Sequence, residues 1–167
     1  MIAQPACIIR SFALAITVLG LASACSWAPV AAPDAAPAGS SAVVHGGVGE
    51  RAAAIALNQI GVPYRYGGSS PRGFDCSGLV QYSYFRAGKR VPRTTDQLWS
   101  STTAVASHEL RVGDVLFFKI AGKMSHVGLY LGGRRFVHAP SSGRAVTVAS
   151  LDSPFYEDAF LRAGRPQ

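Results

Sequence analysis

Three side chains carry the chemistry this chain can do: the thiol of Cys76 and the imidazoles of His126 and His138. Of the three cysteines, Cys7, Cys25 and Cys76, only Cys76 lies in a foldable segment, between Asp75 and Ser77 and after the Gly67-Gly68-Ser69-Ser70 loop. The spacing puts it in the first turn of a helix, where unpaired N–H groups and the macrodipole favour an anion. A thiol there is expected to have a lowered pKa and to act as a nucleophile; the competing reading is a small apolar core residue. A thiolate needs a base. His45 falls in a low-complexity stretch and His108 in the polar Ser107-His108-Glu109 run, which marks both as surface residues without a role. His126 and His138 lie instead in two short apolar runs, twelve residues apart. Side chains alternate faces along a strand, so these two share a face only if the turn between them holds an odd number of residues. A three-residue turn with a bulge at Gly132 and Gly133 meets that condition and a two-residue Gly-Gly turn does not. In register, the pair reads as a base and its orienting partner for a thiol nucleophile.

The elements that must hold these groups follow from periodicity. Glu50 to Ile60 reads as a helix with Ala53, Ile55, Ala56 and Ile60 as its apolar stripe, stopped by Gly61 and Pro63. A second helix opens at Cys76 with Asp75 as its N-cap and runs through Leu79, Val80, Tyr82, Tyr84 and Phe85 to Ala87, with Gly88 at its end. Pro92 to Trp99 is a polar connection with a helical turn over Thr95 to Trp99. Beyond Leu110 the period becomes strand-like: Val112 and Val115–Ile120, His126–Leu131, Arg135–Ala139 and Ala145–Val148 form four strands. Helices followed by an antiparallel meander is an α+β pattern, helices packed on an antiparallel sheet, in one domain over 48–167.

With 167 residues, 49% hydrophobic and 15% charged, the chain has room for one ordinary domain and is not disordered in composition. Sixteen Lys and Arg against nine Asp and Glu give +7. They are dispersed, which argues against a nucleic-acid partner. Arg65, Arg72, Arg86, Lys89, Arg90 and Arg93 flank the cysteine loop in sequence and read either as a solvated face, the commoner case, or as a patch that attracts an anionic polymer. The cysteines are too few for a disulfide framework or a paired zinc site, and the strand histidines lack a third ligand at usual spacing, so no metal is expected.

The amino-terminal segment has one positive side chain, Arg10, then an uncharged stretch from Ser11 to Ala24, the pattern of a signal peptide over 1–24. Leu21-Ala22-Ser23-Ala24-Cys25 resembles the lipobox of bacterial lipoproteins, which implies cleavage before Cys25 and acylation of its thiol. Ala22-Ser23-Ala24 also satisfies an ordinary A-x-A cleavage site. Residues 25–47, mostly Ala, Pro, Gly and Ser, read as a flexible tether.

The runs Gly61-Val62-Pro63-Tyr64-Arg65-Tyr66-Gly67-Gly68, Gly73-Phe74-Asp75-Cys76-Ser77-Gly78-Leu79-Val80, Gly113-Asp114, Ser125-His126-Val127-Gly128 and Phe136-Val137-His138-Ala139-Pro140 closely resemble the NlpC-type cell-wall cysteine peptidases. The resemblance covers Ala52 to Arg165 and implies a circularly permuted papain-like fold that acts on peptidoglycan stem peptides without a cofactor. It casts Cys76 as nucleophile, His126 as base and His138 as orienter, in a thiolate–imidazolium mechanism that passes through an acyl-enzyme. The Tyr64 hydroxyl and the Cys76 N–H would face the oxyanion, and Asp75 and Ser77 would help bind the amino end of a stem. The small size resembles the single-domain lipoprotein murein endopeptidases, which implies an exported, outer-membrane lipoprotein facing the periplasm. Within the family the bond cut is either D-alanyl to meso-diaminopimelyl or D-glutamyl to diaminopimelyl. A non-catalytic wall-binding lipoprotein of the same fold, or an acyl-transferring relative, are the rival readings.

Overall fold

The structure is a computed structural model and describes residues 46–167. The expected signal peptide over 1–24, the acylated Cys25 and the tether up to residue 45, with His45, lie outside the described residues.

A six-stranded antiparallel sheet forms the centre, in the order β3-β8-β4-β5-β6-β7. Its strands are β3 (Thr102–Val105), β4 (Val115–Ile120), β5 (Lys123–Gly132), β6 (Arg135–His138), β7 (Thr147–Ser150) and β8 (Phe160–Pro166). The expected meander is present as β4-β5-β6-β7. The two strands beyond it, β3 and β8, correct the four-strand expectation: β8 returns to pair with β4, and β3 pairs with β8. The last meander strand also lies later than Ala145–Val148. Val146 accepts from the Gly61 N–H and donates to the Val62 carbonyl, so Ala145 and Val146 pair with the loop after the first helix and the strand begins at Thr147.

Helices α1 (Val48–Leu57), α2 (Cys76–Arg86) and α3 (Thr95–Ser101) lie on one face of the sheet, and the short α4 (Pro154–Ala159) belongs to the other. In β4, Val115 and Phe117 join the helical core while Leu116 and Phe118 join the second cluster, and all four are 0% exposed. This double burial explains an uninterrupted apolar run where a one-sided strand would alternate. α1 buries Ala52, Ala53 and Ala56 but ends before Ile60, which is 53% exposed and does not extend the stripe as expected.

α2 follows its sequence signals closely. The Asp75 Oδ1 accepts the Gly78 N–H at 2.7 Å, and Gly88 leaves the helix at φ +93°. A small hairpin, β1 (Ser69–Ser70) with β2 (Gly73–Phe74), precedes it. Gly78 is needed for close approach: a Cβ there would stand 2.0 Å from the Gly68 carbonyl oxygen, so only glycine lets the loop close onto the first turn of α2.

The hairpin joining β5 to β6 resolves the parity question by combining two devices. Gly133 and Arg134 form a two-residue turn with both φ values positive, 55° and 57°. A bulge between Tyr130 and Gly132 adds one residue to β5. His138 therefore lies opposite Gly128, two residues along from His126, and both histidines occupy one face.

Candidate active site

Cys76 is the first residue of α2, and its sulfur meets the sheet at the segment centred on His126. The thiol donates to the Ser125 carbonyl at 3.9 Å, and the Val127 N–H faces the sulfur. Tyr130 exchanges hydrogen bonds with the Gly113–Asp114 turn on the β4 side, donating to Asp114 at 2.9 Å and accepting from Gly113 at 2.8 Å. The backbone N–H and C=O groups of even-numbered β5 residues thus point toward β4 and those of odd-numbered ones, including Ser125 and Val127, toward β6. β6 stops at His138, opposite Gly128. The sulfur accordingly lies against the β5 edge that β6 leaves open.

His126 and His138 stand beside that edge, 4% and 1% exposed. His126 Nε2 and His138 Nδ1 are 2.7 Å apart, and the rings meet nearly edge-on, with centroids 5.0 Å apart at 78°. This contact leaves Nδ1 of His126 as the nitrogen free to take a proton. Burial pushes His126 down to about 4. His138 is pushed down to about 3, by burial first and then by the charges of His126 and Arg144. Burial also pushes the Cys76 thiol up, helped by the Asp75 charge; the Val127 and Ser77 N–H groups and the Thr95 hydroxyl pull it back only in part. The expectation of a lowered thiol pKa is therefore reversed at rest: desolvation outweighs the helix terminus, and the sulfur carries its proton and donates it to a carbonyl.

Asp75 does more than cap α2. Its Oδ2 accepts the Gly67 N–H at 3.0 Å, and its Oδ1 accepts the Ser77 hydroxyl at 3.3 Å. Arg93 closes on it as a fork, Nη1 to Oδ1 at 2.9 Å and Nη2 to Oδ2 at 2.6 Å, and also donates to Ser77 Oγ at 2.9 Å and the Gly68 carbonyl at 3.3 Å. Arg93 thus belongs to the site and not to a solvated face, which corrects its sequence reading. Its partners lie 16 to 25 residues away in the chain, so no local pattern marks it. Asp114 is likewise more than a turn residue: besides accepting the Arg111 N–H at 2.8 Å it takes a fork from Arg165 at 2.8 Å per bond.

An open cleft of about 560 Å³ holds Cys76, with Tyr64, Tyr66, Arg93, Thr95 and Lys123 among its walls. The Tyr64 hydroxyl is within electrostatic reach of the thiol, and burial first, then the Cys76 and Asp75 charges, raise its pKa, which keeps it a donor. Thr95, read only as part of a helical turn, faces the sulfur; its hydroxyl gives no sequence signal apart from opening α3. His108 is exposed and away from this cleft. The structure therefore brings together Tyr64, Asp75, Cys76 and Ser77 around one opening and couples His126 to His138 beside it. Such a thiol, with an uncharged imidazole base and a second imidazole behind it, can perform acyl transfer.

A family model described as NlpC/P60 family matches residues 61–165. Among curated relatives, the murein DD-endopeptidase MepH of Escherichia coli K12 is 39% identical over 140 residues, covering 78% of this chain and 52% of its own length. The probable endopeptidase YafL of the same strain is 42% identical over 113 residues, covering 64% and 45%. The chain thus spans about half the length of the curated relatives it matches. Among solved structures, the NlpC/p60 domain of the peptidoglycan hydrolase SagA aligns with a TM-score of 0.61 at 35% identity, over 70% of this chain and 97% of that one. An NLP/P60 family protein similar to lipoprotein, from Staphylococcus aureus Mu50, aligns at 0.63 and 35% identity, over 71% and 41%.

Proposed function

Because the chain belongs to the NlpC/P60 family, we propose that it is a cysteine endopeptidase of peptidoglycan, hydrolysing amide bonds in murein stem peptides or cross-links. The observation that carries this reading is the Cys76 thiol at the open edge of β5, in a cleft, beside a hydrogen-bonded His126–His138 pair. The S–H proton passes to His126 Nδ1 as the sulfur attacks the scissile carbonyl. The oxyanion faces the Cys76 N–H and the Tyr64 hydroxyl, donors of a kind worth about 2.7 to 4 kcal/mol each. His126 then returns the proton to the leaving amine, and water, deprotonated by the same nitrogen, releases the acyl group from sulfur.

Asp75 and Ser77 hold the cysteine loop through Arg93. With both Asp75 oxygens occupied, a free amino end of a stem finds no open carboxylate there. This supports an interior bond; the relatives' designations divide, D,D in the Escherichia coli protein and DL in CwlT of Bacillus subtilis, so the D-alanyl to diaminopimelyl cross-link and the D-glutamyl bond both go into the test below. The signal peptide over 1–24, the acyl group on Cys25 and the tether over 25–47 would carry the domain of 48–167 at the periplasmic face of the outer membrane; the support is the sequence Leu21 to Cys25. Labelling with a radioactive fatty acid, lost in Cys25→Ser, tests the anchor.

The deciding experiment incubates the full chain and its Cys76→Ala variant with purified cross-linked peptidoglycan and identifies released fragments by mass spectrometry. Cysteine-dependent conversion of dimeric to monomeric muropeptides is the expected result. Stems trimmed after D-glutamate would name the other bond, and fragments released equally by Cys76→Ala would end the cysteine-peptidase reading.

A further inference from the structure

The two imidazoles continue into a third ring that the mechanism above does not use. Tyr156, in α4, places its hydroxyl 3.4 Å from His138 Nε2, the nitrogen not engaged with His126. Its ring stands perpendicular to His138, with centroids 5.4 Å apart at 87°, and is wedged among Phe118, Phe136 and Phe155. We propose that the Tyr156 hydroxyl oxygen is the terminal acceptor of a three-ring chain and sets the tautomer of both histidines, which makes it a positioning residue of the active site.

The argument is one of proton counting. The contact between His126 Nε2 and His138 Nδ1 holds one hydrogen when both rings are neutral. If that hydrogen sits on His126, then His126 Nδ1 presents a lone pair and can take the thiol proton. His138 must then carry its own hydrogen on Nε2 and needs an acceptor there, which the Tyr156 oxygen supplies. If the tyrosine hydroxyl donates to Nε2 instead, His138 carries its hydrogen on Nδ1 and donates to His126. His126 Nδ1 is then protonated and cannot serve as base. The direction of the Tyr156 hydroxyl, together with the tautomer exchange it favours in each of the two rings, therefore separates a working site from an idle one. The Arg144 charge acts on both His138 and Tyr156 and opposes protonation of His138 to the imidazolium, which would destroy the acceptor at Nδ1. When His126 takes the thiol proton, the S–H bond breaks and the Nδ1–H bond forms; His126 Nε2–H keeps donating to His138, and no other proton moves.

This inference rests on the peptidase reading for its kinetic consequence but not for its structural one. The test is nitrogen NMR of the full chain labelled at histidine, in the wild type and in Tyr156→Phe, with steady-state hydrolysis of a cross-linked muropeptide in parallel. In the wild type both His126 and His138 should carry their hydrogen on Nε2. Tyr156→Phe keeps the ring packing, should shift His138 largely to the tautomer with its hydrogen on Nδ1, and should lower kcat about tenfold with KM unchanged, as expected when the base is in its useful form about one tenth of the time. A wild-type His138 protonated on Nδ1 overturns the proposal whether or not the variant folds. So does a variant with unmoved tautomers, or one whose loss lies in KM alone. If the wild type hydrolyses nothing, the peptidase reading fails and the tautomers still decide the relay.

Discussion

Burial of both partners argues against a preformed thiolate–imidazolium pair between Cys76 and His126, and the pH dependence of thiol alkylation tests this directly. Burial holds Cys76 above its ordinary 9.0 and His126 at about 4. Moving the proton from sulfur to imidazole in the empty site therefore crosses at least about five pH units, or about 7 kcal/mol at 1.36 kcal/mol per unit, before the attraction of the new charges offsets part of it. At pH 7 such a thiol is ionised in less than about one molecule in a hundred. The assay is the second-order rate of alkylation by iodoacetamide between pH 5 and 10, for the wild type and for His126→Ala. The rate should climb about tenfold per pH unit from pH 6 to 9, with the same slope in both proteins, because in neither does an imidazolium hold the thiolate. A wild-type rate that is already level from about pH 5, with the level lost in His126→Ala, would show a preformed thiolate–imidazolium pair and refute the reasoning. The expected outcome places ion-pair formation after substrate enters, when a carbonyl oxygen replaces solvent before the oxyanion donors.

The Arg93–Asp75 clamp should be measurable as coupling. With Arg93 31% and Asp75 13% exposed, it falls between a surface pair and a buried one, so Arg93→Ala should cost about 2 kcal/mol in urea unfolding. A double-mutant cycle with Asp75→Asn should return at least about 1 kcal/mol of coupling; less than about 0.5 kcal/mol would mean the fork is only solvated contact. Acid should loosen the fold through the histidines. Both are depressed in the folded state, to about 4 and about 3, from an ordinary 6.5, so the unfolded chain binds more protons below 6.5 and stability falls as pH drops from there toward 4. Thermal melts at pH 7.0 and 4.5 check this, and His138→Gln should flatten the difference; an unchanged Tm between the two pH values would contradict it.

Much of the site was legible because its signals are local. Asp75 caps the helix it precedes, Cys76 opens that helix, and β4 spans the expected Val115–Ile120, although Val112, expected with it, lies in the turn before. The parity condition on His126 and His138 was legible as a condition, but the bulge that meets it was not fixed by the Gly132-Gly133 pair alone. What escaped was set at long range. β8 was not among the four expected strands, and Arg162 and Arg165 interrupt its apolar pattern. In the fold Arg162 lies over the Trp99 ring at 3.8 Å and Arg165 forks onto Asp114, so both charges are met by partners from other elements. α4 has six residues, too few to show a period, and its Tyr156 gains meaning only from His138. The thiol pKa went the wrong way because the helix terminus is visible in sequence and the burial around it is not.

The place of β8 bears on how the protein is made. It is the final described element of the chain, yet it sits inside the sheet, flanked by β3 and β4. Until residues 160–166 have been synthesised, β3 has no neighbour and β4 offers a bare edge whose Val115-Leu116-Phe117-Phe118 run carries no charge. Such an edge invites pairing with another copy, so a half-made chain is more prone to aggregate than the finished one. β5, which bears Ser125, His126 and Val127, rests on β4, and β4 is secured on its other side only by the last strand. A chain that lacks β8 therefore leaves β4, and through it the β5 segment that meets the thiol, without support on that side.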